Sequence, residues 1–276
     1  MTEGLERLWQ EIASRGLRGK NPSTHPVYCE WASDMPNRLG ASELETFFIE
    51  VDMVLSGMEE SAEVAHFWIR VFEDTSRNYP SVPWETTWPL MSGISRVAVA
   101  TNFDELAELT NVPAFLPSMT MIYRDYFARS KSPRVPELLR RLIEPDELIY
   151  PGLVGLGATI AANQRYVCLI PTLDHQLLRI RNEQPDDEVN SEIVDALFRL
   201  RRVEYAQEMK GEGADILLAD LAGKDAQTAA FAAHALGARK AIAALPRLRE
   251  LAESPDVRLR REAKAAVKKL EKLQAS

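Results

Sequence analysis

The last fifty residues nearly repeat themselves, and this limits what the chain can fold into. Asp225 opens DAQTAAFAAHALG, and Asp256, 31 positions on, opens DVRLRREAKAAVK. At that offset Asp225 meets Asp256, Ala232 meets Ala263, Ala235 meets Ala266 and Leu236 meets Val267. A second helical pattern, RKAIAALPRLRELAES, lies between the copies. A fixed period of this length predicts stacked helical hairpins, because neither helix of a pair can bury its apolar stripe alone. In 239–253 the wheel places Ile242, Leu245, Leu248 and Leu251 on the inner face and Arg247, Arg249, Glu250 and Glu253 elsewhere. In 225–237 the stripe is Thr228, Ala232, Ala235 and Leu236, whose small side chains allow close helix approach.

From Ser132 onward, helical patterns follow at 133–143, 145–162, 166–182, 187–209, 213–222, 225–237, 239–253 and 256–273, separated by short Gly and Pro punctuators. Before that point no repeat is visible. Residues 1–17 read as an amphipathic helix carrying Leu5, Leu8, Trp9 and Ile12. A helix capped by Ser42 is expected to bury Leu44, Phe47, Phe48, Val51 and Val54, and one from Ser61 to bury Val64, Phe67, Trp68, Val71 and Phe72. Further helices are predicted near 92–100, 102–109 and 118–128, the last with Met119, Ile122, Tyr123 and Phe127 inward. Prolines at 22, 26 and 36, and at 80, 83 and 89, predict long loops over 18–40 and 74–90. No stretch alternates with period two, so the expected class is all-α, with a nonrepeating helical region over 1–130 and a repeat region over 131–276.

The pattern D-x₆-A-x₂-ALG, a turn, an amphipathic helix and then SPD-V-R resembles a HEAT repeat, closest to the short subclass of phycobilisome lyases. It is carried by Asp225, Ala232, Ala235, Leu236 and Gly237, then Leu245, Leu248 and Leu251, then Pro255, Asp256, Val257 and Arg258. The resemblance covers 225–270 and weakens over 132–222. It implies a right-handed α-solenoid whose second helices line a concave binding surface, without implying one chemistry.

The residues themselves offer little catalysis. The four histidines His25, His66, His175 and His234 show no metal-ligand spacing, and no phosphate-binding glycine loop or nucleophile elbow occurs. His66 and His234 read as core or interface residues, and the 174–175 Asp-His pair as a surface neighbour pair. Gly152, Gly155 and Gly157 read as close-packing positions. No catalytic residue, metal or cofactor is assigned. The two cysteines, Cys29 and Cys168, make no disulfide framework, and the chain start lacks a signal-peptide pattern, so a cytoplasmic location without membrane attachment is expected.

Charge then suggests a partner. Residues 239–272 hold eleven Lys or Arg against five Asp or Glu, whereas the whole chain is −8. That basic end predicts binding of a protein partner of acidic character through Arg247, Arg249 and Glu250 on one helix and Arg258, Arg261 and Lys268 on the next. The aromatic segments 25–31 and 79–88, with Trp84 and Trp88, read either as loop anchors for a partner or as packing against the core. The leading expectation is a noncatalytic scaffold or adaptor. The alternatives are a DNA-binding enzyme resembling the HEAT-like alkylpurine DNA glycosylases, with nucleic acid as partner, and a chaperone resembling the bilin lyases.

Overall fold

A computed structural model describes residues 41–78, 83–144, 151–183 and 188–274. The expected helix over 1–17, the loop over 18–40 and the aromatics of 25–31 lie outside the described residues. Within them the chain is all-α, with no strand. The chain divides into two compact units. One runs to Gln164 and adds Thr172–Ile193; the other comprises Arg165–Pro171 and Val194–Ser276.

In the first unit α1 (Ala41–Ser56), α2 (Ala62–Asn78), α3 (Trp84–Val97) and α4 (Phe103–Leu109) come first. Helix α1 buries Leu44, Phe47, Phe48, Val51 and Leu55, the stripe its period requires. It already includes Ala41, so Ser42 sits inside it and not at its cap. Helix α2 starts as expected: the Ser61 hydroxyl accepts from the Val64 N–H at 3.4 Å, and Val64, Phe67, Trp68, Val71 and Phe72 are buried.

The expected loop over 74–90 is a correction. Helix α2 continues to Asn78, and α3 begins at Trp84 and runs through Pro89. An interior proline removes one helical hydrogen bond and costs about 3 kcal/mol. Burial outweighs it here, because Leu90, Met91, Ile94 and Val97 are completely enclosed and a Leu-sized side chain gains ~1.5–3 kcal/mol each. Gly93 lets α3 press onto α1: a Cβ there would meet Leu55 Cδ1 at 2.8 Å and Asp52 Cα at 3.2 Å. The segment around Ile122–Phe127 forms a π-helical turn with Met119, Ile122, Tyr123 and Phe127 buried. Then follow α5 (Val135–Ile143), α6 (Pro151–Gln164) and α7 (Ile170–Glu183). Gly155 and Gly157 in α6 are buried against Glu192 and Ile143, but Gly152 faces open space and serves no packing.

The second unit contains the C-terminal part of α8 (Val189–Glu208), then α9 (Ala214–Ala222), α10 (Ala226–Ala238), α11 (Leu245–Leu251) and α12 (Val257–Gln274). The repeated aspartates explain themselves. Asp225 accepts from the Thr228 N–H at 2.8 Å and Asp256 from the Leu259 N–H at 2.7 Å, so each satisfies an orphan donor at the start of its helix. The Thr228 hydrogen bonds hold the Asp225 carboxyl below its ordinary value.

Helix α10 packs against both α9 and α12. Phe231 clusters with Leu259, His234 reaches Glu262 and Gly237 abuts Ala266, each contact 28 or 29 positions further along the chain. Contacts that advance together mean that the two helices run parallel, first copy beside second copy. The antiparallel return between them is α11, which packs on α12 and buries Leu245 and Leu248.

The turn from α10 into α11 closes with the Ala241 N–H on the Leu236 carbonyl at 3.0 Å and Lys240 in the left-handed region at φ 59°. This turn corrects the expected inner face. Residues 242–244 form a tight three-residue helical turn and not an α-helix, so the helical angle does not extend back to Ile242. Ile242 is exposed, Ala244 is buried in its place, and Leu251 is only half-buried.

Candidate functional site

Helix α12 carries the charged residues on which the site turns. Its inner stripe is Leu259, Glu262, Ala263, Ala266 and Leu270. One member is an acid, and the surroundings show why it is tolerated. Glu262 is 4% exposed. The guanidinium of Arg202, from α8, donates to its Oε1 at 2.5 Å, and His234 Nδ1, from α10, lies 3.2 Å from Oε2. Arg261 lies 3.7 Å from Oε1. Burial pushes the Glu262 carboxyl up, but the His234 hydrogen bond and the charges of Arg202, His234 and Arg261 outweigh it and hold the group below its ordinary value. A carboxylate thereby ties three helices together.

An aromatic floor lies beside it. Phe198 of α8 and Phe231 of α10 pack with tilted rings 5.2 Å apart, and Tyr205 stands 5.9 Å from Phe231. The Tyr205 hydroxyl donates to Asp220 at 2.5 Å; burial and that carboxylate push its phenol well above the ordinary value. Over the Phe198 ring sit two guanidiniums, Arg258 at 4.9 Å and Arg261 at 6.0 Å. Arg258 also donates to Asp195 at 2.9 Å.

The residues expected from the sequence separate into two groups. Arg247 pairs with Glu250 at 2.6 Å, one turn on, so their charges cancel locally. Arg249 is exposed as expected but is committed to Glu271 at 2.8 Å. The other group lies on α12, where Arg258 and Arg261 meet at Phe198. Lys268 is exposed and has no ion-pair partner among the described residues. Lys264 fills the gap between Arg261 and Lys268 on the same face, 3.9 Å from Glu253; the sequence reading did not single it out.

Trp84 and Trp88 lie on α3 and not on a loop. Trp84 is half-buried and Trp88 is 42% exposed, so neither closes a core. His66, expected inside, is exposed and 2.6 Å from Glu105; its position on α2 falls outside the buried stripe. His234 is half-exposed at the edge of the Glu262 cluster. His175 is exposed.

The Arg202–Glu262–His234 cluster escaped the sequence reading, since its members are separated by 28 to 60 positions. One signal was present: an acid on an otherwise apolar stripe requires a buried cation. Among the described residues no group of three His, Cys, Asp or Glu is placed to hold a metal ion, and no helix is long and apolar enough to cross a membrane. No protein-family model matches the chain, and no match is found among curated proteins or solved structures.

Proposed function

We propose that the chain is a noncatalytic interaction module that holds an acidic protein partner against the outward face of α12, within a HEAT-like array of stacked hairpins. The observation that carries this reading is the division of labour on α12. Its inner stripe is locked to α8 and α10 through Leu259, Glu262 and Ala266, while Arg261, Lys264 and Lys268 stand together on the exposed side. A rigidly seated helix whose outward face keeps a surplus of positive charge, with Lys264 only loosely paired to Glu253 at 3.9 Å, steers and selects partners of opposite charge. The parallel seating of α10 on α12 supports the repeat, since each repeat copy begins at the same capping aspartate. The exposed pairs Arg247–Glu250 and Arg249–Glu271 serve as a neutral rim, because surface ion pairs of this kind hold ~0–1 kcal/mol.

The test is charge reversal of Arg261, Lys264 and Lys268 to Glu. Affinity purification with mass spectrometry should recover an acidic partner with the unchanged chain and lose it with the reversed one. Association with that partner should slow by one to two orders of magnitude, as expected when steering charges are reversed. Equal recovery by both proteins would remove α12 from the interface. Retention of duplex DNA that falls steeply with salt would replace the protein partner with nucleic acid.

A further inference from the structure

We propose that Arg258 and Arg261, seated on Phe198 and backed by Arg202, form a receptor for a doubly charged oxyanion, the phosphate monoester of a phosphorylated peptide side chain. The proposal rests on the reading of α12 as a protein-binding face and gives that face a chemical specificity.

Three guanidiniums converge through shared neighbours. Arg202 and Arg261 approach the same oxygen of Glu262, at 2.5 and 3.7 Å. Arg258 and Arg261 both lie over the Phe198 ring, at 4.9 and 6.0 Å from its centroid. Two carboxylates answer them, Glu262 and Asp195, so the cluster keeps a surplus positive charge even with His234 neutral.

The carboxylates cannot neutralise the outer pair. Glu262 is buried and held by Arg202 and His234, so it cannot swing out. Asp195 occupies only one N–H of Arg258. Arg261 stands beyond hydrogen-bonding reach of Glu262, so its donors are unused. A guanidinium offers five N–H groups in a fixed fork, and the side chains of Arg258 and Arg261 are 36% and 57% exposed, which leaves those forks open to a ligand. The Phe198 ring restricts both side chains, which lowers the ordering cost of binding.

The class of oxyanion follows from charge and acceptor number. A carboxylate brings one charge and two oxygens, enough for one fork. A phosphate monoester brings a charge of about −1.5 to −2 and three strong acceptors, enough for two forks on one ring.

The test uses the full chain with ¹⁵N-labelled arginine, following the Nε–Hε resonances by NMR. The probes are N-acetyl-phosphoserine methylamide, N-acetyl-aspartate methylamide and inorganic phosphate. The phosphoserine probe should shift the Arg258 and Arg261 signals saturably and bind about tenfold more tightly than the aspartate probe, the ratio that ~1.4 kcal/mol produces. Inorganic phosphate should move the same two signals. Saturation by inorganic phosphate alone would assign the site to the free anion and overturn the peptide source. Arg261→Gln should abolish saturation with an unchanged melting temperature. Arg239→Gln, whose guanidinium is held by the Met209 and Glu212 carbonyls, should leave it intact. Unsaturable shifts with every probe, equal affinity for aspartate, or undiminished binding by Arg261→Gln would overturn the receptor. If those results accompany loss of the acidic partner on charge reversal, the protein-binding reading stands without the receptor. Saturation by phosphoserine alongside unchanged partner recovery would fail that reading and keep the receptor.

Discussion

Replacing Gly237 by Ala tests whether α10 and α12 are truly seated copy on copy. A Cβ built at Gly237 lies 2.9 Å from Ala266 Cβ and 3.1 Å from Ala266 Cα. Neither atom can rotate away, because one is backbone and the other a methyl with no rotamer. Ordinary contact begins near 3.4 Å, so the helices must part by a few tenths of an ångström. Overpacking of this kind costs ~1–3 kcal/mol. Alanine returns about 1 kcal/mol of helix propensity, which leaves a net loss of ~0–2 kcal/mol. Ala266→Gly alone should cost about 2 kcal/mol, from propensity and a lost buried methyl. In the double variant the two methyl groups no longer meet, so its loss should be smaller than the sum of the single losses by ~1 kcal/mol. All five tryptophans precede residue 89, so their fluorescence does not report on this unit. Amide hydrogen exchange of peptides from α10 and α12 does. Additivity within ~0.5 kcal/mol, or a Gly237→Ala protein more stable than the parent by about 1 kcal/mol, would show that the two helices do not touch here.

Leu248→Ala should destabilise the unit by ~2–5 kcal/mol in the same exchange measurement, since Leu248 is completely buried in the cluster formed by α9 to α12. Glu262 is held below its ordinary pKa when folded, so its contribution is present above the unfolded value and is lost as pH falls through the folded one. Acid titration of stability should therefore show a decline below about pH 4.5 that is shallower in Glu262→Gln, and identical slopes would remove Glu262 as its source. Lys240→Gly should raise stability by ~0.5–1 kcal/mol, because Lys240 occupies the left-handed position that glycine takes without strain; a loss of stability would mean that the Lys240 side chain makes a contact of its own.

Helix content and most inner faces were written in local sequence. Val64, Phe67, Trp68, Val71 and Phe72 fell on one side by period alone, and all are buried. The repeated aspartates marked helix starts because a cap needs only its own next turn. Local rules failed where a distant surface decided the outcome. Pro83 and Pro89 signalled a loop, but the burial of Leu90 and Ile94 drew that segment into α3 and placed Trp84 and Trp88 on a helix. Ile242 matched the leucine stripe, but the tight turn ahead of α11 rotated it outward.

The proposed binding face shows the same division. The sequence determined that Arg258, Arg261 and Lys268 sit on one basic helix. It had no means of showing that Arg247 and Arg249 would be neutralised by Glu250 and Glu271. Nor could it bring Arg202 and His234 to Glu262, or Phe198 under Arg258, since side chains so far apart in the chain meet only when α8, α10 and α12 close on one another. Charge and period are properties of a segment, and their neutralisation or exposure is a property of the packing.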